Sequence, residues 1–379
     1  MDQGARATTV GGAASPPTVE SAPRETPAMI RPPDRRRRRL AADLLVLAAV
    51  GVMLVAAVWA AFGAVQRVFY SPSAFVEQYL GLLADGRAAD ALAVPGVAVD
   101  SVDLAAAGLD DYASDALLRS TALSSLTDIE VISEERDGDT ARVTMSYTAG
   151  GVAGKTSFDV AQSGTIGFAP TWAFAKSPLA VIELVVDGSP SFTVNGFDIE
   201  KVQVSPDGAD ADPLAALPLL AFSPGLYSVS VNTPIAVTSG VAVLSDSPLR
   251  GIPVSLTANP TPEFADTVQV RVDEFLTECA TQQVLQPTAC PFGYIVQDRI
   301  VSLPRWSIIE QPTIALEADG DGWRIPPTEG LAHIDVDVQS LYDGTITSVS
   351  EDVPFVLTGQ ITILPDGSVS IVVGGTDTT

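Results

Sequence analysis

Hydrophobic and polar positions follow four successive patterns along the chain. Residues 1–34 show no apolar periodicity: Pro, Ala, Thr, Ser and Gly dominate, and Phe, Trp, Tyr and Leu are absent. Such a stretch buries too little apolar surface to offset its chain entropy. With the arginines that follow, it predicts a disordered basic tail over 1–39. From Leu44 to Val65 the pattern is unbroken apolar with no charge. About 20 apolar residues, each rising about 1.5 Å, match a hydrocarbon core of about 30 Å, and in lipid a helix satisfies its own backbone. This predicts a transmembrane helix over 40–66, with Asp43 at its mouth beside Arg35, Arg36, Arg37, Arg38 and Arg39.

Helical spacing comes next. Ser71-Pro72-Ser73 is a helix start, and Phe75, Val76, Tyr79, Leu80, Leu82 and Leu83 fall on one face. Asp85-Gly86-Arg87 stops this helix. Ala88 to Val94 predicts a second short one, and Leu104 with Leu109 to Leu123 predicts further helix. At Ile129 the period becomes two: Ile129–Ser133 and Ala141–Tyr147 read as strands around an Asp137-Gly138-Asp139 turn, and Lys155–Val160 and Thr171–Phe174 extend the meander.

After Leu179 helices largely vanish. Short alternating runs at 180–186, 191–197, 224–231, 235–238 and 240–244 predict a small β-sandwich-like module, with one short helix expected within 210–220. Asn259-Pro260-Thr261-Pro262 is a linker. Glu263 to Gln283 returns to helical spacing. Strands are then expected at 301–309, 313–316, 323–325, 332–338, 354–357, 360–364 and 369–373, with Pro365-Asp366-Gly367 as the last turn. The predicted class is α+β: a disordered tail, one transmembrane helix, and two helix-plus-curled-antiparallel-sheet domains, 72–177 and 261–375, flanking an all-β module, 179–257.

Charge gives the apolar segment a direction. The basic cluster lies on its N-terminal side, so the positive-inside rule places the tail in the cytoplasm and everything after Tyr70 outside. A cleaved secretory signal is the competing reading. Its apolar core is shorter, about 7–15 residues, and Trp59 and Phe62 crowd the place where cleavage would fall. No cysteine follows closely, which excludes a lipoprotein anchor. The arginines also suit anionic lipid, and with no folded module or interleaved aromatics they do not read as a nucleic-acid site. Of 21 Lys+Arg and 46 Asp+Glu, 12 and 41 lie beyond Tyr70, a net charge of −29 there. That argues against a broad face for nucleic acid or anionic wall polymers and leaves cationic partners or divalent ions open.

Cys279 and Cys290 are the only cysteines, both on the outer side by this topology, and are expected to pair. Closing so short a loop contributes roughly 3 kcal/mol in the chain-entropy model. His333 is the only histidine. It lies in Ala332-His333-Ile334-Asp335-Val336-Asp337-Val338, whose alternation puts His333, Asp335 and Asp337 on one strand face. The polar side of a half-buried strand explains this pattern; a metal site would need further ligands, and none is expected. Asp319-Gly320-Asp321-Gly322 is half a calcium loop without the remaining ligands and fits a hairpin. Phosphate loop, dinucleotide fingerprint and nucleophile elbow are missing, so no enzyme and no cofactor are expected. Within the first α+β domain, Phe75, Tyr79 and Leu83 on the helix face Met145, Tyr147, Phe158 and Trp172 on the sheet. Either these form a packed core, or Tyr79, Tyr147 and Trp172 line an open mouth as a candidate pocket.

The order of a basic tail, one apolar helix, an α+β domain opening with Phe75-Val76-Glu77-Gln78-Tyr79-Leu80, a β module carrying Val194-Asn195-Gly196 and Ser223-Pro224-Gly225-Leu226-Tyr227, and a hairpin at 319–324 resembles the TcaA-type envelope proteins of Gram-positive bacteria, which are associated with teicoplanin response. The resemblance implies nuclear-transport-factor-like (cystatin-like) α+β domains outside the membrane. Such proteins often begin with a cysteine zinc ribbon; this N-terminus has no cysteine. The expected function is a single-pass, membrane-anchored envelope protein whose outer domains bind or organise an envelope component, with the lipid bilayer, envelope proteins or wall precursors as partners and no nucleic acid. The alternative is an accessory subunit of a membrane transport or wall-assembly complex.

Overall fold

The structure is a computed structural model that describes residues 35–167, 169–364 and 368–375. It is mixed helix and mostly antiparallel sheet. The chain divides into two compact units, Met1–Gly63 and Ala64–Thr379. Helix α1 (Arg35–Phe69) contains the window Ala42–Ala60, with mean hydropathy 2.3 and no residue buried. The helix starts at Arg35, so the disorder expected over 1–39 does not extend to its last five residues. Arginine is a good helix former, and it continues the backbone ladder that the apolar run requires. The expectation for residues 1–34, like the turn at 365–367, lies outside the described residues.

Beyond the end of α1, the second unit continues with α2 (Pro72–Ala84). Ser71 caps it by accepting the Ala74 N–H on its hydroxyl at 3.1 Å, and Pro72 stands in the first turn. Its buried face is Val76, Tyr79, Leu80 and Leu83, one helical stripe. Two short helices follow, α3 (Ala88–Leu92) and α4 (Ser101–Ala106), the latter with a reciprocal Asp100/Asp103 capping box. α2 packs on a four-stranded antiparallel meander, β1 (Leu126–Asp137), β2 (Thr140–Ala149), β3 (Val152–Ile166) and β4 (Ala169–Phe174).

The helix expected over 109–123 does not form, apart from a single turn at Ser120–Ala122. Ser114 instead bonds in β fashion, donating its N–H to Pro218 O and accepting from Leu220 N, both at 2.8 Å. Its neighbour Leu117 is thereby buried. Pairing with the next sheet overrides the local helical pattern.

That sheet belongs to the middle region. Its strands are β5 (Leu179–Asp187), β6 (Ser191–Val194), β7 (Phe197–Glu200), β8 (Leu217–Phe222), β9 (Gly225–Ser230), β10 (Ala236–Val237), β11 (Val241–Ser245), β12 (Gly251–Thr257) and β13 (Asn259–Pro260), with one turn of helix, α5 (Lys201–Val204). They form sheets ordered β12-β5-β8 and β11-β9-β6-β7 and a small β10-β13 pair. β12 runs parallel to β5, the one departure from antiparallel pairing among these strands. The short helix expected within 210–220 is replaced by strand β8, because Pro218 stands inside a six-residue apolar run buried on both faces.

The C-terminal region repeats the order of helix, then meander. α6 (Pro262–Ala280) is capped by Thr261 and buries Phe264, Val268, Val272, Leu276 and Cys279. Its sheet comprises β14 (Arg299–Ile300), β15 (Arg305–Glu310), β16 (Glu317–Asp319), β17 (Gly322–Gln339), β18 (Ile346–Ile363) and β19 (Val369–Gly375). The order is β14-β17-β18-β19, with β15 and β16 also paired to β17. β17 and β18 each join runs that the sequence pattern divides, since Pro326 and Pro327 fall in a bulge that interrupts the pattern without ending the strand. Residues 313–316 form no strand.

The hydrophobic interior forms two clusters, and the sheet β12-β5-β8 contributes to both. Leu179, Val181, Leu220 and Phe222 pack with α2 and the first meander. Ile182, Leu184, Leu217, Leu219 and Ala221 pack into a cluster that continues through the middle region to α6 and the last sheet. Along β5 and β8 the assignment alternates with period two, so one face serves each cluster, while β12 adds Val254 and Leu256 to the second.

Candidate functional site

The structure brings Tyr79, Tyr147 and Trp172 together, but as packed core. Tyr79 is fully buried between Phe158 and Phe174, with ring centroids at 6.3 and 5.1 Å, and its hydroxyl donates to Ser223 O at 3.3 Å. Burial holds its pKa well above the usual phenol value, with the neighbouring Tyr227 adding to this. Thr156 uses its hydroxyl proton on Asp246 O at 2.7 Å, so Tyr147 donates to Thr156 Oγ1, at 2.8 Å. Burial pushes the Tyr147 hydroxyl up to about 12. Trp172 is 8% exposed and donates its indole N–H to Tyr70 O at 3.0 Å. The three polar tips are all spent on protein partners, as buried polar groups in a packed core require.

Arg35 to Arg39 form the start of α1. Cys279 and Cys290 stand at disulfide distance, with Cα atoms 5.9 Å apart. The bond ties the end of α6 to the loop that follows. That loop is also held by Trp306, whose indole donates to Val284 O at 2.8 Å, and by Phe292 stacked between Trp306 and Phe355.

Asp319-Gly320-Asp321-Gly322 serves as a docking turn. Gly188 N donates to Gly320 O at 2.7 Å, and Gly320 N donates to Asp187 Oδ1 at 2.8 Å. The buried Lys201 ammonium uses its three protons on Val186 O, Pro213 O and the Asp321 carboxylate. A lysine thus occupies the carboxylate that a cation would otherwise attract.

The polar cluster richest in chemistry lies on the outer face of the last sheet, opposite the side that packs on α6. Inward alternation buries Ile334, Val336 and Val338 and leaves His333, Asp335 and Asp337 outside. Register sets His333 opposite Asp352, Asp335 opposite Ser350, and Asp337 opposite Ser348. His333 Nδ1 lies 2.6 Å from Asp352 Oδ1, its Nε2 lies 3.0 Å from Ser350 Oγ, and Asp335 Oδ1 is 3.5 Å from the same Nε2. Ser348 donates to Asp337 at 2.6 Å. The hydrogen bond to Asp352 raises the His333 pKa, and the charges of Asp335 and Asp352 add to it.

The order serine, histidine, aspartate is that of a nucleophile, its base and an orienting acid. The electrostatics bear on the protonation of the imidazole. The hydrogen bond to Asp352 and the two carboxylate charges favour the protonated imidazole, the form in which Nε2–H donates to Ser350 Oγ. The cluster is a charge-compensated cross-strand network that fixes the outer face of β17 and β18. Sequence alternation finds His333, Asp335 and Asp337. It misses Ser348, Ser350 and Asp352, which stand in a stretch polar on both faces. Among the described residues, no three His, Cys, Asp or Glu side chains are placed to hold a metal ion.

No family model, no curated protein and no solved structure matches the chain.

Proposed function

We propose that the chain is a single-pass envelope protein, anchored by α1 with its basic flank in the cytoplasm, whose residues beyond Tyr70 bind or organise an envelope component outside the membrane without catalysing a reaction. The observation that carries this reading is the window Ala42–Ala60, wholly exposed at mean hydropathy 2.3, directly after five consecutive arginines. An exposed apolar surface of that length is unstable in water and suits lipid, and arginines on one side orient it. The Cys279–Cys290 pair agrees with an oxidising location for the second unit. The order of segments resembles that of the TcaA-type envelope proteins, which supports an envelope role.

A fusion after Thr379 tests the placement. A reporter active only outside the cytoplasm is expected to work there, and replacing Arg35 to Arg39 by Glu is expected to scramble the orientation. Activity of a cytoplasm-only reporter at that position in the unaltered chain overturns the proposal.

A further inference from the structure

β19 covers only part of β18. It pairs with Leu357–Ile363, so among the described residues β18 from Ile346 to Val356 has a strand partner on one side only, β17. Two bonds on the far side of β17 show which backbone groups this leaves open. Asp337 donates its N–H to Ser302 Oγ at 2.7 Å, and its carbonyl accepts from Val301 N at 2.9 Å. In an antiparallel ladder both groups of a residue point the same way, and the direction alternates along the strand. Asp337, Asp335 and His333 therefore turn away from β18, and their register partners Ser348, Ser350 and Asp352 turn away from β17. No register shift interrupts this stretch of the pairing. Pro354 agrees: it is next in the same series, and proline is tolerated where no ladder N–H is required. The edge thus offers the N–H and C=O groups of Ile346, Ser348, Ser350 and Asp352, and Pro354 ends the row.

We propose that this edge, Ile346–Asp352, takes an extended basic segment of a partner protein as an added strand. Main-chain bonds supply the affinity in such additions, and side chains on either face supply the selectivity. Two observations favour a basic segment, and a third favours recognition through the backbone. The chain beyond Tyr70 carries a net charge of −29, so a second copy meets repulsion where a cation meets attraction. Glu351 lies along this stretch, its carboxylate accepting from the Tyr294 hydroxyl at 2.8 Å, and Asp343 lies at the tip, held below the usual carboxylate range by hydrogen bonds from the Thr345 backbone and the Ser340 side chain. The serine and aspartate side chains of the row are already bonded to His333 and Asp337, which leaves the backbone as the free recognition surface. Exposed Ile346 and Tyr342, the latter 99% exposed, give an arriving strand an apolar contact at one end.

The inference deepens the binding role proposed above by naming the kind of partner. A binding assay on the purified chain reads only the edge, whereas the reporter fusion reads only the placement, so the two fail separately. The probe is a peptide of about eight residues alternating Lys and Val, a usual strand length. It is offered to the full chain in detergent micelles, beside the same peptide N-methylated on alternate amides and a Glu–Val counterpart. In the free chain the amides of Ser348 and Ser350 are expected to exchange fast and those of Val349 and Glu351 slowly. The Lys–Val peptide is expected to slow the first pair about tenfold or more, and N-methylation to weaken its binding about tenfold, the effect of losing one or two hydrogen bonds. Four results overturn the proposal: Ser348 and Ser350 as slow as Val349 in the free chain, equal binding of the N-methylated peptide, equal binding of the Glu–Val peptide, or edge protection that grows with chain concentration in the absence of peptide. The last would identify a second copy as the occupant.

Discussion

At the scale of single residues, Tyr147 and His333 hold parallel positions in the two meanders, one turned inward and one outward. Tyr147 shares the buried face of β2 with Val143 and Met145, and Gly154 lies opposite it on β3. A Cβ on Gly154 would come 2.6 Å from the Tyr147 ring, so glycine there is what lets the ring lie flat across the sheet. His333 lies on the outer face and is held by hydrogen bonds to Asp352 and Ser350. Its folded pKa is raised, chiefly by the hydrogen bond to Asp352. A raised histidine adds stability that is fully present below its unfolded value of about 6.5 and is lost as pH rises through the folded value. Asp352→Asn removes the largest cause. The His333 midpoint is then expected to fall toward the ordinary value and the pH dependence of stability in that window to flatten. As the only histidine, it can be followed directly by NMR of its ring protons. An unchanged midpoint would mean that Asp335, not Asp352, holds the proton.

At the scale of elements, what was legible in the sequence depended on whether a segment's partners were local. α2 and α6 are marked by their own caps, Ser71-Pro72 and Thr261-Pro262, and by stripes at helical spacing. The segment 109–123 carries a helical pattern as well, but its partner is Pro218–Leu220, about a hundred residues away. Likewise, β18 reads weakly before Val353 because one edge is open and both faces carry polar residues, so the half of the cross-strand network on that strand gave no signal. The pairing of Cys279 with Cys290 was legible because so few cysteines leave one choice. Replacing both by Ser is expected to lower stability by about 3 kcal/mol in the chain-entropy model. Denaturant unfolding of the double variant measures this. A change near zero would mean that Phe292, stacked on Trp306, already holds the loop without the bond.

At the scale of the whole second unit, the sheet β12-β5-β8 makes the two hydrophobic clusters dependent on each other. Its strands β5 and β8 present alternate side chains to each, so neither cluster is closed without it. The Asp319–Gly322 turn adds a polar attachment, through Lys201 and Asp187, between the middle region and the last sheet. The consequence is one cooperative unfolding transition for residues 72–375, not three, because removing any region exposes the buried face of the shared sheet. Leu220→Ala tests this. The side chain faces the first cluster, and truncating a buried leucine costs about 2–5 kcal/mol. If unfolding is cooperative, amide protection must fall by the same amount at Val143 and Phe158, beside the mutated cluster, and at Ile334 and Leu357, in the other. A loss confined to Val143 and Phe158 would show that the first meander opens by itself and that the shared sheet stays attached to the C-terminal region.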